Sequence, residues 1–479
     1  MGVRTAEAYL EGLRDGRAVF FKGERVEDVT AHPDLGVGAR HAALDFELAE
    51  REAYREMMTC LCPETGETVS RYFVPPASTA DLLHRREMVE TSTRMGGGVV
   101  LLIKEIGTDA LFTLSLIARL ADQKYGTGYL ERVRKYHAFC RDRDLSMAVA
   151  QTDVKGDRGK GPSDQAHPDY YVRIVEERSD GIVVRGAKAH TTCAPYVDEI
   201  LVIPTRAMAE KDRDYAVAFA VPAHAKGLKL IASHFGGTSG SAFHHPVSSR
   251  HRLCESLTVF DDVFIPNDRV FLKGEWDFAG AVANTFVQFH RFTAVAYKPP
   301  LCDLFIGAAA LIADYNGAAS ASHIREKVTR LITYAETVRA LGRAAALSPR
   351  VVDGIAIPDP IVTNIAKHYF ASGYHTAVSL VQDIAGGLVV TGPSEEDLTS
   401  PETKGYVERY LGGRAGVSTE DRLKAFNLIR DLTASDFGGY HELLALHAEG
   451  SLEAQKITIF RDYDIGRCVG LAKEAANIG

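Results

Sequence analysis

Apolar residues return every three or four positions through most of the first 145 residues, which predicts amphipathic helices. Residues 5–16 read as a short helix with Thr5 as N-cap and Leu10 and Leu13 on one face. Ala18-Val19-Phe20-Phe21 followed by Lys22-Gly23-Glu24 reads as a strand and a turn. Helical patterns follow over 41–58, 79–96, 106–121 and 130–143, broken by Gly96-Gly97-Gly98 and by Lys124-Tyr125-Gly126. From Met147 to about Val270 short apolar runs alternate with turns, over 200–204, 215–221, 228–231 and 256–260. Residues 170–177 and 181–185, joined across Ser179-Asp180, read as a hairpin. From Trp276 onward helical spacing resumes over 282–297, 301–316, 324–347, 360–386 and 421–432. In 324–347 the apolar positions Val328, Leu331, Ile332, Ala335, Val338 and Leu341 describe one face of a bundle helix. The order is α, then β, then α, with expected units at 1–145, 146–275 and 276–479.

Composition narrows the class of protein. The 479 residues are 46% hydrophobic and 25% charged, ordinary for a globular enzyme. A net charge of -8 argues against general binding to nucleic acid or to anionic membranes. Seven scattered cysteines make a disulfide framework unlikely to be the organising device, and Cys60-Leu61-Cys62 lacks zinc or redox spacing. No apolar leader opens the chain and no run approaches 18 uninterrupted apolar residues, so a cytoplasmic location is expected. No repeat, Walker loop or dinucleotide fingerprint is present.

The chemistry concentrates in residues 148–198 and in one later helix. Thr152-Asp153 opens a Gly- and charge-rich loop that carries Lys155 and Arg158, and a second polar turn holds His190-Thr191-Thr192. Thr hydroxyls at two neighbouring turns suit a flat ring with hydrogen-bonding edges. In the 282–297 pattern His290, Ala294, Tyr297 and Lys298 fall on one helical face. An imidazole, a phenol and an ammonium there can move a proton and hold an oxyanion. On spacing alone the same residues also fit a capped histidine and two snorkelling side chains of a bundle helix. His244, His245 and His251 read as hydrogen-bonded loop histidines, and His447 and Glu449 as a helix end.

Four stretches carry a family resemblance: TDVKGDRG at 152–159, GIVVRGAK at 181–188, DDVFIPNDRV at 261–270 and GGLVVTGPSEED at 386–397. In this order they resemble the family that joins the oxygenase component of 4-hydroxyphenylacetate 3-monooxygenase with 4-hydroxybutyryl-CoA dehydratase. The resemblance implies an α+β, acyl-CoA dehydrogenase-like fold: an N-terminal helical domain, a central β-barrel and a C-terminal four-helix bundle. It implies FAD between barrel and bundle, with Thr152, Lys155, Arg158, Thr191 and Thr192 toward the flavin. Gln382, Gly386 and Gly387 would approach its pyrophosphate or adenosine end, although Gly386-Gly387 equally suits a helix C-cap.

Two departures from the family shape the functional expectation. The dehydratase branch holds a [4Fe-4S] cluster with three Cys and one His. Here residues 101–105 contain no Cys, Tyr297 stands seven positions after His290, and Cys302 is displaced. No cluster is therefore expected. The phenol-hydroxylase branch binds its phenolate with an Arg, a Tyr and a His. Lys104 and Val149 stand near the Arg and His positions, and no Tyr occurs between Gly96 and Ala121. Lys104, Val149 and Arg291 remain as substrate-binding candidates, and His290, Tyr297 and Lys298 as catalytic ones. The expected activity is a flavin-dependent monooxygenase using O2 and reduced FAD supplied by a separate reductase. The alternative is a redox-neutral isomerase- or dehydratase-like enzyme, or a dehydrogenase, on an acyl-CoA-type substrate. The resemblance also implies a homotetramer built as a dimer of dimers.

Overall fold

The structure is a computed structural model describing residues 2–234 and 241–478. The N-terminal part is helical as expected. Thr5 caps Ala6–Gly12, its hydroxyl accepting from the Ala8 N–H. Leu35–Glu50, Thr79–Met95, Glu105–Tyr125 and Tyr129–Asp142 follow. Residues 41–58, read as one helix, divide at Arg51, whose extended backbone separates Leu35–Glu50 from Glu52–Met58.

The middle of the chain forms two sheets. The larger runs in the order Glu24–Val26, Val19–Phe21, Leu228–Ala232, Ser256–Pro266, Gly181–Lys188, Arg173–Glu177. Its first two strands come from the N-terminal segment, so the sheet ties residues before 145 to the central unit. The smaller sheet runs Val270–Lys273, Val217–Pro222, Glu199–Val202, Met147–Ala150. Among the described residues the strands form these two open sheets and do not close into a ring. Each sheet keeps two edges: Met147–Ala150, for instance, pairs only with Glu199–Val202. That edge is covered by helix Glu105–Tyr125, and the Met147 N–H donates to the Ile103 carbonyl.

One helix of 40 residues, Trp276–Tyr315, replaces the two expected over 282–297 and 301–316. Pro299 and Pro300 remove the donors that would reach the Val295 and Ala296 carbonyls. Burial wins over that loss, because residues 289–302 are enclosed on every side. The helix is apolar and long enough to cross a membrane, but 67% of its most apolar window is buried within the protein, as in a core helix. Ser322–Leu347 and Pro360–Ala385 pack against it and against each other, and Thr419–Thr433 packs on both Trp276–Tyr315 and Pro360–Ala385. Asp436–His447, Leu452–Asp462 and Ile465–Ala476 complete the chain.

Candidate functional site

The Thr-bearing turn lies where strand Gly181–Lys188 ends. His190 and Cys193 take left-handed backbone angles (φ 55° and 61°), which folds the chain tightly around Thr191-Thr192. Backbone hydrogen bonds in both directions between Thr191 and Ser256 pin this turn to strand Ser256–Pro266. The Ala189 N–H donates to the Thr152 carbonyl, so the two polar turns are neighbours. The Thr191 hydroxyl is fully buried and, among the described residues, has no hydrogen-bond partner. The Thr192 hydroxyl donates to the Glu255 carboxylate at 3.0 Å, and the Tyr440 hydroxyl donates to it at 2.6 Å. Burial pushes the Glu255 carboxyl up to about 7 against the pull of these two donors.

The Thr152 loop follows. Asp153 is buried in an ion pair with Lys188 at 2.9 Å. Lys155 has a left-handed backbone (φ 75°), and burial together with Arg158 and Arg206 lowers its ammonium pKa.

On the long helix, Tyr297 and Lys298 converge on Glu449, at the end of Asp436–His447. Glu449 is left-handed (φ 54°) and Gly450 follows at φ 95°; this turn directs the carboxylate inward. A Cβ on Gly450 would lie 2.7 Å from Arg291 Nη2, so the turn needs glycine for space as well as angle. The Tyr297 hydroxyl donates to Glu449 Oε1. Lys298 Nζ lies 3.4 Å and Lys367 Nζ 3.3 Å from Glu449 Oε2. Arg291 Nε donates to the Glu449 carbonyl at 2.8 Å and Nη1 to Asn364 Oδ1 at 2.7 Å. Burial alone would raise the Glu449 carboxyl, but Lys298 and Lys367 hold it down at about 2. Burial lowers Lys298 to about 8 and Arg291 to about 10, each partly offset by Glu449.

His290 stacks on Phe286, ring centroids 5.2 Å apart, and its Nδ1 lies 3.5 Å from Asp109 Oδ2. Arg85 fixes the other Asp109 oxygen at 2.8 Å. The rim turn and the helices meet here: the Tyr297 phenol is influenced by both Glu449 and Glu255, and the Tyr440 phenol by Tyr297. His290, Arg291, Tyr297, Lys298, Thr191 and Thr192 thus belong to one buried region. Local spacing did not mark Tyr440, Lys367 or Glu255 for this site, and Glu449 read as a helix end. Glu255 and Lys367 come from parts of the chain far in sequence from the helix that carries Tyr440 and leads to Glu449, and nothing in local spacing links them.

The remaining candidates lie elsewhere. Lys104 is a correction: it is fully buried between Asp45 (2.8 Å) and Asp144 (2.7 Å), with its ammonium over the Phe46 ring. Two carboxylates neutralise it and leave no face for a substrate. Val149 is also corrected, since it is a buried core side chain of the smaller sheet. Gly386 serves as the C-cap of Pro360–Ala385 (φ 84°), and Gly386 and Gly387 face open space. Gln382 donates to the Thr433 carbonyl. His244 accepts from the Glu395 N–H, His245 sits 3.5 Å from Asp431, and His251 meets His41 at 3.3 Å. Among the described residues no three His, Cys, Asp or Glu side chains are grouped to hold a metal ion.

This arrangement, two sheets seated between helical units with a buried acid–base set at their junction, defines a mixed α+β enzyme fold of the acyl-CoA dehydrogenase-like kind. The chain belongs to the 4-hydroxyphenylacetate 3-hydroxylase family, whose N-terminal model matches residues 5–272 and C-terminal model residues 279–477. It is 36% identical to the 4-hydroxybutyryl-CoA dehydratase/vinylacetyl-CoA-Delta-isomerase of Clostridium aminobutyricum, over 99% of both chains. The oxygen-tolerant archaeal 4-hydroxybutyryl-CoA dehydratase of N. maritimus superposes with a TM-score of 0.95 at 33% identity, covering 100% of this chain and 95% of that one. The crystal structure of the oxygenase component of 4-hydroxyphenylacetate 3-monooxygenase complexed with FAD superposes with a TM-score of 0.89 at 29% identity, covering 99% of each.

Proposed function

We propose that the chain is an FAD-dependent oxidoreductase of the two-component monooxygenase type, acting on an aromatic or otherwise activated organic substrate. The observation that carries this reading is the Thr191 hydroxyl, fully buried without a partner beside the Thr192–Glu255–Tyr440 set. A buried hydroxyl without a partner is costly, and the edge of a flavin ring would satisfy it. The cationic Thr152 loop, with Lys155, Arg158 and Arg206 close together, suits the phosphates of FAD. When bound, reduced FAD would supply electrons to O2, and a separate reductase would deliver it. Thr191 and Thr192 would fix the ring. Glu255 would exchange a proton near neutral pH. Tyr297, Lys298 and His290 would bind and orient the substrate's polar group, and the closed helical side would exclude water.

An iron–sulfur cluster does not fit these residues. Residues 101–105 offer no thiolate, Tyr297 is committed to Glu449, and the buried Cys302 thiol is pushed up to about 12. The reading also keeps the units 1–145, 146–275 and 276–479. Within them it takes the two sheets as an opened barrel, and Trp276–Tyr315, Ser322–Leu347, Pro360–Ala385 and Thr419–Thr433 as the four-helix bundle. It keeps the tetramer too, supported by the last helix, Ile465–Ala476, which buries none of its residues within the chain.

A second reading, redox-neutral proton transfer or dehydrogenation on an acyl-CoA-type substrate, is favoured by two observations. Glu255, raised to about 7, and Glu449, held at about 2, are two carboxyls with well-separated proton affinities in one buried region. Lys104 and Val149, the residues nearest the expected phenol-binding positions, are buried away from any substrate. The test has two arms: purified protein with candidate phenols and acyl-CoA thioesters is run anaerobically with oxidised FAD, and in parallel with reduced FAD and O2. Turnover that needs reduced FAD and O2 supports the monooxygenase. Flavin bleaching, or double-bond migration without O2, supports the second reading. Failure to bind FAD in either redox state removes both.

A further inference from the structure

Three cationic side chains surround Glu449, which among the described residues is the one carboxylate in ion-pair contact with Lys298 and Lys367. Lys298, Lys367 and Arg291 are each at most 4% exposed. Lys367 also donates to the Ala445 carbonyl at 2.8 Å, and Arg291 to Asn364 and the Glu449 carbonyl. Lys298 has no such second partner. Its contacts with Glu449 are 3.4 and 3.5 Å, and its other neighbours are the Tyr297 and Phe370 rings at 4.5 and 4.8 Å. A buried ammonium this weakly held is costly.

Lys298 lines a cavity of about 30 Å³ between Trp276–Tyr315, Pro360–Ala385 and Asp436–His447. Tyr374 and His441 line it as well, and Tyr374 Oη and His441 Nε2 are both buried without a hydrogen-bond partner. Tyr297, whose hydroxyl donates to Glu449, lines it too, and the other walls, including Val100, Leu253, Leu301 and Leu444, are apolar. Lys298 and the Tyr374 hydroxyl can donate, and so can Nε2 of a neutral histidine in the matching tautomer. Three donors around one small hole, with surplus positive charge behind it, are complementary to an oxygen anion.

We propose that this cavity is an oxyanion receptor that takes a carboxylate or enolate-type oxygen of the substrate, with Lys298 supplying charge and Tyr374 and His441 supplying hydrogen bonds. The word substrate rests on the function proposed above; the anion site itself requires no flavin. It places the substrate's negative end against the long helix, within one residue of Tyr297.

The experiment uses formate as the probe and formamide as its neutral isostere, at constant ionic strength held with chloride. Thermal shift and calorimetric titration are run on flavin-free and FAD-loaded protein. Formate is expected to bind the wild type and formamide to bind at least tenfold more weakly. Lys298→Met is expected to lose formate binding by tenfold or more, and Tyr374→Phe severalfold. A crystal grown in formate should show it in contact with Lys298, Tyr374 and His441. Equal binding of formate and formamide, undiminished binding by Lys298→Met, or a hole filled by water in the formate crystal would each overturn the proposal. If Lys298→Met does not fold, the formate-to-formamide ratio of Tyr374→Phe decides instead. An unchanged ratio overturns the proposal and a reduced one supports it. FAD retention is read separately by absorbance, so loss of the flavin reading leaves the anion result standing.

Discussion

Glu255 is the residue whose environment yields the most direct measurement. Burial raises its carboxyl from an ordinary 4.5 to about 7, so the folded protein holds this proton more tightly than the unfolded chain. The resulting stabilisation is complete below about pH 4.5 and is lost as pH rises to about 7, with an upper bound of about 3 kcal/mol. Glu255→Gln should remove this slope, which urea denaturation at pH 5, 6, 7 and 8 would measure. The same variant should lose any limb of the pH–activity profile centred near 7. Glu449 carries the opposite sign. Replacing it by Gln strands Lys298 and Lys367 without a carboxylate and should cost about 3–5 kcal/mol. Adding Lys298→Met should recover part of that loss; strict additivity in a double-mutant cycle would show that the two side chains do not interact. His290, Tyr297, Lys298 and the Thr191-Thr192 turn were legible in the sequence because each sits in a contiguous pattern. Glu255, Tyr440 and Lys367 were not, since they reach the site from separate elements across long sequence separations. Lys104 misled because its position fitted a family alignment, while its two carboxylate partners lie about 60 and 40 residues away along the chain.

At the scale of elements, periodicity located most helices and strands and failed where tertiary burial overrode local rules. A Pro-Pro pair normally ends a helix, yet Trp276–Tyr315 continues through it because its neighbours enclose it on all sides. Barrel closure was not legible for a different reason: it depends on how strand edges meet, and alternation along one strand carries no information about that. The contact between helix Glu105–Tyr125 and strand Met147–Ala150 shows how tightly these units are joined. A Cβ on Gly107 would lie 2.4 Å from Met147 Cβ, a backbone-anchored atom that cannot swing aside. Gly107→Ala should therefore destabilise the protein by about 1–3 kcal/mol despite the better helix propensity of alanine. A neutral or higher melting temperature would show that helix and strand are free to separate. Val149 lies in that same strand, which is why an alignment position that suggested substrate contact is instead part of the core.

The whole molecule has an unfinished C-terminal end. Helix Ile465–Ala476 has no buried residue, yet Ile465, Val469 and Leu471 are apolar and exposed. Ile457 and Phe460 of the preceding helix are exposed as well. A 12-residue helix with no buried residue is marginal in water, and the apolar side chains it exposes suit a partner surface. A second copy is the economical partner, because a self-complementary contact repeats the same apolar faces about a twofold axis. If the tetramer is correct, wild-type protein should scatter light as four times its 52.2 kDa chain mass. Val469→Glu combined with Leu471→Glu should reduce the mass to that of a dimer or monomer. The secondary structure of residues before 450 should be retained, since this helix buries none of its own described residues against that core. A wild-type protein that already runs as a monomer with an intact C-terminal helix would end the tetramer reading. The buried Thr191, Glu255 and Glu449 set would remain, because all of its contacts described above are made within a single chain.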